Sequence, residues 1–185
     1  MLVFAYGSLM WNPGFRHVSI MPAMAPGWRR SWCIPSTVHR SSSDIPGVVL
    51  GLVPGACCVG MALEVEEARE SEVRRYLRDR ETAEEGYAET MLDILSPKGW
   101  EKALCYVADM SNPCVRELSG DGLLARLTNA RGRAGANVDY ARNTIAAVRS
   151  LIRPADWPEP CPGMCGTVAE ILCDSWPPCP RRFVG

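Results

Sequence analysis

The chain opens on a short apolar run, Leu2-Val3-Phe4-Ala5-Tyr6, that stops abruptly at Gly7-Ser8. Two large apolar residues, Leu9 and Met10, come next, then Trp11 and a turn, Asn12-Pro13-Gly14. An apolar run bounded by turn residues reads as a buried strand. Gly7 at its end frees the backbone and lets another group approach closely. Ser8 adds a hydroxyl in a segment whose N–H groups need partners. A strand that ends in open N–H groups can cradle an anion or a carbonyl oxygen. The competing reading is a tight turn after a first strand, and the spacing alone does not separate the two.

Further short apolar runs succeed one another along the chain. The Pro- and Ala-rich stretch 21–26 is expected to connect two strands. Trp28-Arg29-Arg30-Ser31-Trp32 alternates and suits a strand. Pro46-Gly47 and Pro54-Gly55 read as turns that bound a strand over 48–53, with another apolar run over 57–65. Two more strands are expected over 88–95 and 103–108, joined through Pro97-Lys98-Gly99. Short strands at this spacing predict a curled mixed or antiparallel sheet.

Residues 66–80 are rich in strong helix formers, with Val73, Tyr76 and Leu77 as the apolar stripe. Glu81 lies four residues past Leu77 and eight past Val73, so a helix that reaches it turns it inward. An inward carboxylate costs free energy unless paired or neutralised. Burial and the negative end of the helix dipole both raise its pKa, toward the range useful for proton transfer. A structural Glu hydrogen-bonded to backbone or to Arg80 fits the periodicity equally well. Glu84 and Glu85 read as exposed loop acids. Further on, 123–128 is a helical fragment and 132–135 a loop. Asn137 is a good helix N-cap, and Val138, Ala141, Ile145, Val148 and Ile152 form one stripe behind it. Tyr140, on that helix's first turn, either offers its hydroxyl to a ligand or packs.

With 185 residues the chain suits one domain with a substantial core. A net charge of −1 argues against nucleic acid or an anionic membrane as partner. No apolar run has membrane-spanning length, and no secretory signal is visible. Nine Cys residues without such a signal read as reduced thiols in a cytoplasmic protein. Cys161, Cys165, Cys173 and Cys179 lack the paired C-x-x-C spacing of zinc fingers and read as thiols, not a metal site. His39 is either an acid/base group or a structural hydrogen-bonding residue.

Several segments together resemble the ChaC family of glutathione-specific γ-glutamylcyclotransferases. They are Tyr6-Gly7-Ser8-Leu9 with Trp11-Asn12-Pro13-Gly14-Phe15, then Arg29, Arg30, Trp32, His39, Arg40, Pro46, Gly47 and Gly60. Tyr76-Leu77-Arg78-Asp79-Arg80-Glu81 with Gly86-Tyr87, Asn112-Pro113, and Gly132, Gly135, Asn137 and Tyr140 continue the likeness in order. Departures from the family pattern are Cys33-Ile34-Pro35, Val38, Val59 and Ala134. The resemblance implies an α+β fold, a small curved mixed sheet or barrel packed by helices over 66–81 and 137–152. It places this domain over 1–155, with a Pro- and Cys-rich extension over 156–185. It implies Glu81 as catalytic acid/base and Tyr6, Gly7, Ser8, Leu9, Met10 and Tyr140 as substrate-binding. The implied reaction needs no cofactor or metal, because the substrate's own amine is the nucleophile. Glutathione or another γ-glutamyl compound is the implied small-molecule partner.

Overall fold

The computed structural model describes residues 1–37, 39–41 and 46–151. Five strands close into a barrel: β1 (Leu2–Ala5), β2 (Ser19–Ser36), β3 (Gly47–Glu64), β4 (Tyr87–Ser96) and β5 (Gly99–Ala108). Around the barrel they run β1-β3-β2-β4-β5. The first strand closes it. One edge of β1 pairs antiparallel with β3, and the other pairs parallel with β5, Leu2 opposite Ala103. Both faces of the strand are also covered, Val3 and Ala5 packing into one core and Phe4 into another, hence the unbroken apolar run, all buried.

The expected sheet is therefore present, but two expected strand breaks are not. Residues 21–26 lie inside β2, and Pro54-Gly55 lies inside β3; each strand is 18 residues long. The turn-forming residues mark bends, not ends. Register shifts between Pro26 and Trp28, where Gly27 takes φ 81°, and again between Trp32 and Ile34. A bulge bends its strand and strengthens the local twist, and long bent strands let a sheet this small close on itself.

Helix α1 spans Glu70–Glu81 after a 3₁₀ turn at Glu67–Arg69, so it starts later than the composition predicts. Val73 and Leu77 are its buried residues, as the stripe predicts. Helix α2 spans Gly120–Asn129. The expected loop over 132–135 is a minimal hairpin, β6 (Arg131–Gly132) with β7 (Gly135–Ala136). Helix α3 spans Asn137–Leu151.

Asn137 does not act as the expected side-chain cap. Its amide is fully buried and spans to β3, Oδ1 accepting from the Val48 N–H at 2.7 Å and Nδ2 donating to the Val48 carbonyl at 2.7 Å. It thus imitates a neighbouring strand and fixes α3 to the barrel. That contact rotates the buried face onto Tyr140, Ala141, Thr144, Val148 and Leu151, while Val138 and Ile145 stay half-buried. Ile152, the boundary expected near 155 and the extension over 156–185, with four of the nine Cys, lie outside the described residues.

Candidate active site

The chain leaves β1 at Tyr6 and bends through Gly7 into a single 3₁₀ turn, Ser8–Met10. That turn is closed by the Met10 N–H donating to the Gly7 carbonyl at 3.0 Å. The first N–H groups of such a turn have no partner within it. Gly7 leaves room for a close neighbour: a Cβ on it would lie 3.0 Å from the Tyr140 hydroxyl and would push that group aside. Beneath the bend, the buried Arg30 donates from Nε to the Tyr6 carbonyl at 2.7 Å and from Nη2 to the Val59 carbonyl and the Met10 sulfur.

Glu81 is the last residue of α1 and lines the same cavity, of about 30 Å³, as Tyr6, Gly7, Ser8 and Leu9. The acid and the bend, 73 residues apart from Ser8 to Glu81, therefore meet. Only 15% of the Glu81 side chain is exposed. Burial raises its pKa, and the Arg80 guanidinium, whose Nε lies 3.4 Å from the carboxylate, opposes the rise. Arg80 also holds the bend against α1. Its Nη2 donates to the Ser8 hydroxyl at 3.0 Å, and its Nη1 to the Asn12 carbonyl at 2.8 Å and the Tyr76 hydroxyl at 3.0 Å.

Tyrosines complete the walls. Tyr6 donates its hydroxyl to the Tyr106 carbonyl at 2.8 Å, and Tyr87 donates to the Leu50 carbonyl at 2.7 Å. The Tyr140 hydroxyl accepts from the Leu50 N–H at 3.3 Å, and its own proton has no acceptor among the described residues. Burial pushes the Tyr6, Tyr87 and Tyr140 phenols up from their ordinary value, and the Glu81 charge adds to the rise in each. The phenols that share the cavity with the acid are therefore neutral at physiological pH. Trp11 and Trp32 pack edge-on against Tyr140, with centroids 5.6 and 5.9 Å away.

Outside this inner cavity lies a vestibule of about 470 Å³ that shares Ser8, Glu81, Tyr87 and Tyr140 with it. His39, Arg40, Arg133 and Trp11 are among its walls. The vestibule lies within the size range of small-ligand pockets.

Two expectations change. Met10 packs into the core, away from both cavities, because the 3₁₀ turn faces it toward Arg30. Glu84 is not an exposed loop acid. It is 4% exposed and accepts from the Ser36 hydroxyl at 2.6 Å, the Thr37 N–H at 2.8 Å and the His39 N–H at 2.9 Å. Its partners lie 45–48 residues earlier in the chain, so no local pattern announces them. Tyr106 and Leu50 were missed for the same reason: each reaches the cavity through the barrel's topology. Of the departures from the family pattern, Cys33 and Pro35 face a separate cavity and Val59 is in the core, whereas Ala134 lines the vestibule. Val38 lies outside the described residues.

A closed five-stranded mixed barrel packed by helices is the architecture of the γ-glutamylcyclotransferase fold. A crystal structure of a yeast γ-glutamylcyclotransferase specific to glutathione superposes with a TM-score of 0.78 at 18% identity, covering 92% of this chain and 95% of that one. Residues 1–157 match the family described as ChaC-like protein, and the chain belongs to that family. Among curated relatives, the rat glutathione-specific γ-glutamylcyclotransferase 1 is 30% identical over 174 residues, covering 91% of this chain and 72% of the relative. Its zebrafish counterpart is 29% identical over 145 residues, covering 75% and 74%.

Proposed function

We propose that this protein cyclises the γ-glutamyl group of glutathione and releases 5-oxoproline and Cys-Gly. The observation that carries the reading is the position of Glu81, a buried carboxyl with a raised pKa on the wall formed by the Tyr6–Leu9 bend.

The substrate's α-amine attacks its own γ-carbonyl carbon, a C–N bond closes a five-membered ring, and the bond to the cysteine nitrogen breaks. Orientation is the main requirement, and holding the two reacting groups together contributes on the order of 7 kcal/mol or more. Glu81 takes a proton from the attacking ammonium and returns one to the leaving nitrogen. Its raised pKa brings proton affinity closer to that of the groups it serves. The N–H groups at Gly7, Ser8 and Leu9, together with the unengaged Tyr140 proton, face the oxygen that gains charge. Arg80 fixes both Ser8 and Glu81, so the donors and the base keep their relative positions.

The substrate is a small molecule, and no nucleic acid partner is part of this reading. Cys33, Cys58, Cys105 and Cys114 are free thiols, which fits the reading of a reducing compartment, the cytoplasm. No helix among the described residues is long and apolar enough to cross a membrane. A different γ-glutamyl substrate is favoured less, because Cys33, Pro35 and Val59 stand off the two joined cavities. The test is direct. Purified protein with glutathione should yield 5-oxoproline and Cys-Gly in equal amounts by mass detection, and intact glutathione after prolonged incubation refutes the reading.

A further inference from the structure

We infer that Arg40 binds the C-terminal carboxylate of the tripeptide substrate and so selects glutathione over γ-glutamyl compounds that lack it. This rests on the cyclotransferase reading and goes beyond it to the far end of the substrate.

The guanidinium is placed by built contacts. Its carbon lies 5.6 Å from the centroid of the Tyr140 ring, whose hydroxyl borders the inner cavity. Nη1 donates to the Ala136 carbonyl at 3.0 Å. The remaining N–H groups of the fork have no acceptor, and no carboxylate lies within ion-pair distance, among the described residues. The nearby acids are engaged. Asp139 lies 3.4 Å from Arg142 and acts on Arg40 only from beyond ion-pair distance, Glu81 faces Arg80, and Glu84 accepts from the Ser36 hydroxyl and the Thr37 and His39 N–H groups. A half-buried cation with no ion-paired carboxylate among the described residues is costly, and a planar fork is the group best shaped to take a carboxylate in two hydrogen bonds.

The backbone that carries Arg40 is also fixed. Its N–H donates to the Ser36 hydroxyl at 2.9 Å, and the Ala134 N–H donates to the His39 carbonyl at 2.9 Å. Gly132 and Gly47 pack so closely that a Cβ on either would lie within 2.8 Å of an Arg40 backbone atom. Two residues of extended peptide reach about 7 Å. From a cleavage point at the inner cavity, the glycine carboxylate can therefore reach the adjoining vestibule whose wall Arg40 helps to form.

The experiment compares glutathione with glutathione whose glycine carboxylate is amidated, on the wild type, Arg40→Gln and Arg40→Lys, with the melting temperature of each recorded. The wild type should prefer the acid by about ten- to a hundredfold in kcat/KM, the usual worth of a charge-assisted pair. Arg40→Gln should remove that preference through KM on glutathione, with a clearly smaller loss on the amide than on the acid. Arg40→Lys should keep part of it, having the charge without the fork. Equal losses on both substrates, or a wild type indifferent to the amide, overturn the assignment. A wild type that cyclises neither compound overturns the cyclotransferase reading itself, and the Arg40 role with it.

Discussion

Replacing Glu84 with Ala tests how the barrel holds the vestibule wall. The carboxylate accepts from the Ser36 hydroxyl and the Thr37 and His39 N–H groups at 2.6, 2.8 and 2.9 Å, and more weakly from the Thr37 hydroxyl at 3.4 Å. A hydrogen bond to a charged group contributes about 1.5–3 kcal/mol, and contributions within one network do not add fully. Ser36 is fully buried, so its bond counts at full weight, whereas water reaches the part-buried Thr37 and His39 donors once the acid is gone. The sum comes to about 3–4 kcal/mol. For a chain of this size each kcal/mol moves the midpoint by about 2–4 °C, so Tm should fall by roughly 6–16 °C. Glu84→Gln, which keeps one acceptor oxygen, should lose about half as much. Circular dichroism melts measure both. Assayed well below Tm, Glu84→Ala should lose more activity on glutathione than on its amide, because the loosened segment carries Arg40. A Tm within 2 °C of wild type would show that these donors find equal partners elsewhere, and the reasoning fails.

Gly60→Ala places a Cβ 2.4 Å from the Ala5 carbonyl oxygen, one residue before Tyr6. That backbone cannot yield without moving the bend, so overpacking should cost about 1–3 kcal/mol and turnover should drop in the folded fraction; unchanged Tm and activity contradict this. For pH dependence, the base form of Glu81 is the active one. Since burial raises its pKa, kcat/KM should rise with pH through a limb above the ordinary glutamate value. Arg80 opposes that rise, so Arg80→Gln should move the limb to higher pH and Arg80→Lys should not; coincident limbs in the two variants contradict the assignment.

The first strand, the bend and the inward acid were legible because each is a local pattern: an apolar run with a Gly stop, and a residue four past a buried Leu77. The long strands were not, because Pro and Gly serve both turns and bulges, and only pairing partners tell them apart. Asn137 illustrates the same limit. Its type predicts a cap, but the proximity of Val48, 89 residues away, recruits the amide for the barrel. Glu84 reads as an ordinary surface acid until β2 ends beside it. Met10 sits in the motif with Ser8 and Leu9, yet a 3₁₀ turn sends successive side chains in different directions, and Met10 falls to the core side.

One measurement bears most directly on the idea that a single buried acid moves the proton while the substrate's amine cuts. It is 5-oxoproline formation by Glu81→Gln, with a melt of the same preparation. Because the folded-state pKa is raised, the carboxyl's favourable contribution is present at low pH and lost as pH rises through that pKa. At pH 7 the amide should therefore leave Tm equal or higher while turnover disappears. Glutathione cyclised at near wild-type rate by the folded variant would contradict the account.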